Sequence, residues 1–145
     1  MINFKMGSIK MDHAGMQRTV QDSLPPRVLR CAVLVEGEAK RLLSVGGGAS
    51  HVPSAPGQPP HAQTGELKSS ITSAMAGPNT AIVGPNKIGK PTRAGKKYSI
   101  GHIHEFGGVR HPKRPFMKPA LMRMLERFPE QFKGLDFRLT GARKT

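Results

Sequence analysis

Between Val28 and Leu43 apolar side chains return every three or four residues, at Val28, Cys31, Ala32, Val35, Ala39, Leu42 and Leu43. That spacing gathers them on one face of an α-helix. Arg27, Arg30, Glu38, Lys40 and Arg41 fall mostly off the stripe, so the helix has one face to bury and one to wet. Pro25 and Pro26, behind Ser23 as a possible cap, suit its start, and the glycines at 46 to 48 end it. No other stretch of the 145 residues is as regular. Seventeen glycines and thirteen prolines, with 37% hydrophobic residues and no tryptophan, leave much of the chain to loops. One domain, 1–145, with a small core is the expectation.

Ahead of that helix, Ile2, Phe4, Met6 and Ile9 lie close to period two, which suits a short strand at a sheet edge. Asp12 is placed to cap a short helix through Met16 and Val20 that stops near Pro25. Behind it, residues 46–64 form a proline-rich arm. Polyproline-like geometry holds such a segment out from the domain, where Pro53, Pro56, Pro59, Pro60 and His61 are expected to meet a neighbouring subunit or partner. Thr64 reads as an N-cap, followed by Gly65, Glu66 and an inward Leu67 in one helical turn. Ser70–Ala76 and Thr80–Val83 flank Gly77-Pro78-Asn79, a hairpin in which glycine and asparagine tolerate left-handed φ. Residues 85–97 then form a basic loop.

The stretch from Tyr98 to Leu125 joins an apolar segment, a glycine turn, a basic loop and an amphipathic helix. Tyr98, Ile100, Ile103 and Phe106 offer anchors, Gly107 and Gly108 permit a reversal at positive φ, and Pro112 and Pro115 stiffen the return. From Met117 a helix with Pro119 in its first turn would bury Leu121, Met124, Leu125 and Phe128. Phe106 is expected to anchor the turn in the core and Phe116 to pin the helix start, which holds Arg110, Lys113 and Arg114 on a rigid bend. Pro129 should kink or restart the helix, Phe132 and Leu135 give a last apolar contact, and 136–145 trail off as a basic tail. The class is α+β: a small antiparallel sheet packed against one long and one C-terminal helix, with extended loops or arms.

Charge is unevenly spread. The formal net charge is +14, of which +3 falls in residues 1–64 and +11 in 65–145, and between 85 and 118 nine basic residues face a single acid, Glu105. Such a field attracts polyanions or acidic protein surfaces; a merely solubilising loop is the plainer reading. Lys87, Lys90, Arg93, Lys96 and Lys97 are the candidates to face DNA. Base-specific readout is disfavoured by an aromatic content of 5%. The single cysteine, Cys31, excludes a disulfide framework and a cysteine-based zinc site, and on a buried stripe it reads as a small core residue. No apolar run reaches the length of a membrane span, and no signal pattern opens the chain. A soluble, unprocessed protein folded in a reducing cytosol is expected.

Candidate chemistry is thin. His102 and His104, alternate residues of a strand, with Glu105 beside them, are two potential ligands without a partner motif. Neither the glycines at 46–48 nor Gly84-Pro85-Asn86-Lys87-Ile88-Gly89-Lys90 has phosphate-loop spacing, and no nucleophile is paired with a base. No enzyme, metal or cofactor is expected.

Taken in order, the long helix, the proline arm, Thr64-Gly65-x-Leu67-x-x-Ser70-Ile71, a hairpin, Glu105-Phe106-Gly107 and Arg114-Pro115-Phe116-x-x-Pro119-Ala120-Leu121 resemble the tail-completion, or minor tail component, family of long-tailed bacteriophages. The likeness covers about residues 15–132. It implies a structural virion protein, made in the host cytoplasm, that assembles into a ring, six-fold in this part of such particles. The ring would sit in the neck between head connector and tail, touching neighbouring neck and tail-terminator proteins around the genome DNA. The proline arm and the second basic loop, 86–97, are longer than the common pattern. A basic, non-specific DNA-binding accessory protein is the alternative.

Overall fold

The computed structural model describes residues 13–44, 52–61, 64–86 and 99–134. The expected strand at 2–10, the Asp12 cap, the glycines at 46–48, nearly all of the basic loop, Tyr98, Leu135 and the tail lie outside them. The elements are α1 (His13–Leu42), α2 (Glu66–Ser70), the strands β1 (Ile71–Gly77) and β2 (Thr80–Pro85), α3 (Ile100–Phe106), α4 (Met117–Leu125) and α5 (Phe128–Gln131). Strands β1 and β2 form a two-stranded antiparallel sheet. The hairpin and α4 both pack on α1, which makes this the small α+β fold the sequence suggests.

The apolar stripe of α1 is the floor of the core. Val35, Ala39, Leu42 and Leu43 join Ile71 from β1 and Phe116, Ala120 and Met124 from the α4 region, all buried, with Cys31 and Ala32 buried nearby. Glu36 ties the wet flank of the helix to the sheet: Ser73 and Lys40 both donate to its carboxylate, at 2.6 Å each.

Helix α1 does not start at the prolines; it runs through Pro25 and Pro26. Their missing N–H groups would ordinarily break a helix interior. Here the preceding turns are braced by hydroxyls that fold back on the backbone, Thr19 donating to the Gly15 carbonyl at 2.9 Å and Ser23 to the Thr19 carbonyl. Just beyond the prolines, Arg27 donates to the carbonyls of Gln131 and Lys133 at 3.0 and 2.8 Å, tying this turn to α5. Tertiary contact overrides the local stop signal.

Four other expectations are corrected. The hairpin turn uses no positive φ at Gly77 or Asn79. Instead the register slips between Met75 and Gly77, so that Gly77 faces Thr80, and a bulge supplies the twist that a left-handed turn would have given. Gly65, at φ 74°, is the N-cap of α2, with the Thr64 hydroxyl accepting from Glu66 N–H only at 3.4 Å; Leu67 packs against the core as expected. Residues 100–106 are helical, not extended. In α4 the buried stripe is Phe116, Ala120 and Met124, spaced by four, so Leu121 and Leu125 turn outward and stand 42% and 43% exposed. Pro119 is in the first turn, and Pro129 restarts the chain as α5.

The proline segment also departs from the reading as an outstretched arm. Between 52 and 61 it lies against its own chain: Gly57 N–H donates to the Lys113 carbonyl at 2.8 Å, Arg114 Nε to the Ser54 carbonyl at 2.9 Å, and Ser54 and Pro60 are buried. Pro53 and Pro56 remain exposed, while Pro59 and His61 are half-buried. Backbone groups that proline rings leave unpaired find partners on the 113–114 segment, which favours docking over extension.

Candidate functional site

Two features stand out, a capped bend and an apolar cleft. The bend runs from α3 into α4. At its centre the Glu105 carboxylate accepts three backbone hydrogen bonds, from Phe116 and Met117 N–H at Oε2 and from Lys118 N–H at Oε1, each 2.9 Å. These are amides at the start of α4 that no helical carbonyl can reach, and an anion there also complements the helix dipole. Sequence reading took Glu105 for a neighbour of two histidines and missed this role. The available signal was its position as the lone acid between 85 and 118, ahead of a helix start, Arg-Pro-Phe-Met, that carries no serine, threonine or aspartate cap.

Gly107 makes the reversal possible at φ 80°, the one of the two turn glycines with positive φ. A Cβ there would also stand 3.0 Å from Lys113 Cγ and 3.2 Å from the His111 carbonyl. A single bridge joins Gly108 to His111, and Arg114 N–H donates to the His104 carbonyl at 2.7 Å. These hydrogen bonds close the bend, but Phe106 does not anchor it: that ring is 62% exposed and lies tilted against His102, ring centroids 4.7 Å apart. Phe116 is fully buried and pins the α4 start. Pro115 beside it is half-buried.

The basic residues separate in role. Arg110, His111 and Lys113 are exposed on the bend, whereas half-buried Arg114 is committed to Ser54. Burial first, then the charges of Arg114 and His111, pulls the His104 pKa below its ordinary value, so this imidazole favours the neutral form. His102 and His104 stand two apart on a helix, about 200° around its axis by helical geometry, and do not share a face. Among the described residues no three histidine, cysteine, aspartate or glutamate side chains gather around one point where a metal ion would sit. Lys87, Lys90, Arg93, Lys96 and Lys97 lie outside the described residues. No helix among those described is long and apolar enough to cross a membrane.

Glu38, expected on the wet face of α1, is instead buried and joins two elements. Arg41 donates to it twice at 2.7 Å and Arg123 of α4 once at 2.9 Å. The Arg41 hydrogen bonds, against the cost of burial and with help from Arg123, hold its carboxyl down to about 2.

The cleft opens beside β2. Val28, Cys31 and Val35 of α1 form its floor, Ala81 and Val83 of β2 one wall, and Met117, Leu121 and Phe128 the other, around a volume of about 450 Å³. Cys31 is buried at its base, and burial pushes its thiol pKa up. Leu121 in its wall is 42% exposed, and Val33, Ile82 and Leu125, which do not line it, are exposed as well. No family model, curated protein or solved structure matches the chain.

Proposed function

We propose that this chain is a non-catalytic assembly subunit, a tail-completion component that forms a ring in the neck of a long-tailed phage, between head and tail around the DNA channel. The observation that carries the reading is the open apolar cleft, whose lining includes Leu121, 42% exposed. Open apolar surface of this kind is what a protein–protein contact covers. A head-to-tail contact between identical copies closes into a ring when the rotation permits. The order of the Thr64-Gly65-x-Leu67, Glu105-Phe106-Gly107 and Arg114-Pro115-Phe116 motifs points the assembly to the phage neck. Exposed Arg110 and Lys113, with Pro53 and Pro56, are the proposed contacts to neighbouring neck and tail proteins, and the basic balance suits a lumen that DNA passes through without a tight grip.

A net charge of +14 keeps a second reading in play, that of a non-specific DNA-binding accessory protein. Salt separates the two. Binding to duplex DNA that vanishes at physiological salt, with closed rings seen by negative-stain microscopy, is expected of a neck subunit. Nanomolar DNA binding that persists there, by a protein that stays monomeric, overturns the assembly reading. Particles made without the chain should accumulate as heads and tails that fail to join.

A further inference from the structure

Among the described residues, two hydrogen bonds hold the segment 52–61 to the bend: Gly57 N–H to the Lys113 carbonyl at 2.8 Å and Arg114 Nε to the Ser54 carbonyl at 2.9 Å. The bonds of Gln58 N–H to the Ala55 carbonyl and of the His61 ring to the Val52 carbonyl stay within the segment. Docking also has a cost. Ser54 Oγ is buried without a hydrogen-bond partner among the described residues, a penalty that water relieves once the segment lifts away. The clasp is therefore a balance of small effects, and a single added charge is enough to tip it.

The place for that charge is a pocket of about 210 Å³ lined by Pro53, Ser54 and Pro60 of the segment and by His104 of α3. The other titratable and charged groups that line it are His61 from the segment, Glu66 and Lys68 from α2, and Arg114 from the bend; α1 contributes Leu43. Exposed Glu66 is the one carboxylate among them. Glu105, next to His104 in the chain, is committed to the amides at the α4 start, and His111 and Lys113, exposed on the bend, carry no negative charge to offer. Burial and the charges of Arg114 and His111 already disfavour the imidazolium form of half-buried His104. A proton on that ring adds a positive charge beside Arg114, the residue whose guanidinium holds Ser54.

We propose that protonation of His104 releases the segment 52–61 from the bend, so that the clasp is a pH-sensitive catch. The inference does not depend on the assembly reading. Docked, His104 takes up its proton less readily than it does when hydrated, so docking is at full strength above the ordinary value of 6.5 and weakens as pH falls below it. One proton is worth at most tenfold per pH unit, which sets a ceiling of about 30-fold at about pH 5.

Hydrogen exchange followed by NMR, corrected for the intrinsic pH dependence of amide exchange, reads the catch at Gly57. Its protection should fall several-fold between about pH 7.5 and about pH 5, while the amide of Ala120, bonded to the Phe116 carbonyl at the start of α4, keeps its own. The midpoint of the fall should coincide with the titration of the His104 ring proton signal, and His104→Gln, which takes up no proton, should abolish the fall. Equal protection of Gly57 at both pH values, a fall that persists in His104→Gln, or a midpoint that tracks a different histidine overturns the proposal. So does loss of the Gly57 and Ala120 amides together, which is acid unfolding and not release. If His104→Gln leaves the segment undocked at about pH 7.5, the coincidence of midpoints in the unaltered chain still decides.

Discussion

Phe116 and Phe106 are ten residues apart and chemically identical, yet the first is fully buried and the second 62% exposed. Truncating a packed phenylalanine costs about 3 to 5 kcal/mol, whereas an exposed ring changes stability by about 0.5 kcal/mol or less. Urea denaturation should accordingly show Phe116→Ala unfolded or severely weakened, and Phe106→Ala with a near-normal midpoint. Glu38 gives a pH signature. Its folded pKa, about 2, lies below the ordinary carboxylate value of 4.5, so the stability it contributes is complete above about 4.5 and drains away as pH falls toward 2. Acid titration by circular dichroism should show a loss in that window that is smaller in Glu38→Gln, which should itself be less stable at pH 7 by roughly 1.5 to 3 kcal/mol, the worth of hydrogen bonds to a charged group.

Among the elements, the ones with a periodic apolar face were legible. The stripe on α1, the hairpin and the α4 start are where the residues place them, because burial of one face is encoded locally. Three kinds of feature were not. The passage of α1 through Pro25 and Pro26 depends on Arg27 reaching carbonyls more than one hundred residues away, and no local rule anticipates that. The register of α4 turned on Phe116, outside the helix, taking the lead of the stripe. The Glu105 cap and the docking of 52–61 are pairings of side chain or backbone across loops, visible only once the bend is closed. In α3 a constraint unseen in the sequence is steric: a Cβ on Gly101 would stand 2.3 Å from Pro85 Cγ, so the helix rests directly on the end of β2. Gly101→Ala should cost about 1 to 3 kcal/mol through forced displacement of one element from the other, read as a lowered thermal midpoint.

At the scale of the whole molecule, a chain of net charge +14 repels its own copies. Association through apolar contacts should therefore strengthen as salt screens that repulsion, the Debye length falling from about 30 Å at 0.01 M to about 8 Å at 0.15 M. Attraction to DNA weakens over the same range. Sedimentation velocity across this range is expected to show larger species at the higher salt; a shift toward monomer would mean that the contacts are ionic.

The Glu105 cap has a consequence in time as well as in space. Its three amide partners are only eleven to thirteen residues downstream, and a loop of about ten residues closes in roughly 10 to 100 ns. The hairpin, by contrast, reaches α1 across contacts such as Ser73 to Glu36, thirty-seven residues apart. The α3–α4 bend thus has a shorter search than the docking of the hairpin on α1, and is placed to organise before the sheet finds its helix. In pulse-labelled refolding, the amides of Phe116, Met117 and Lys118 should gain protection ahead of those in β1 and β2, and Glu105→Ala should slow their acquisition and leave the sheet to form without a preassembled end.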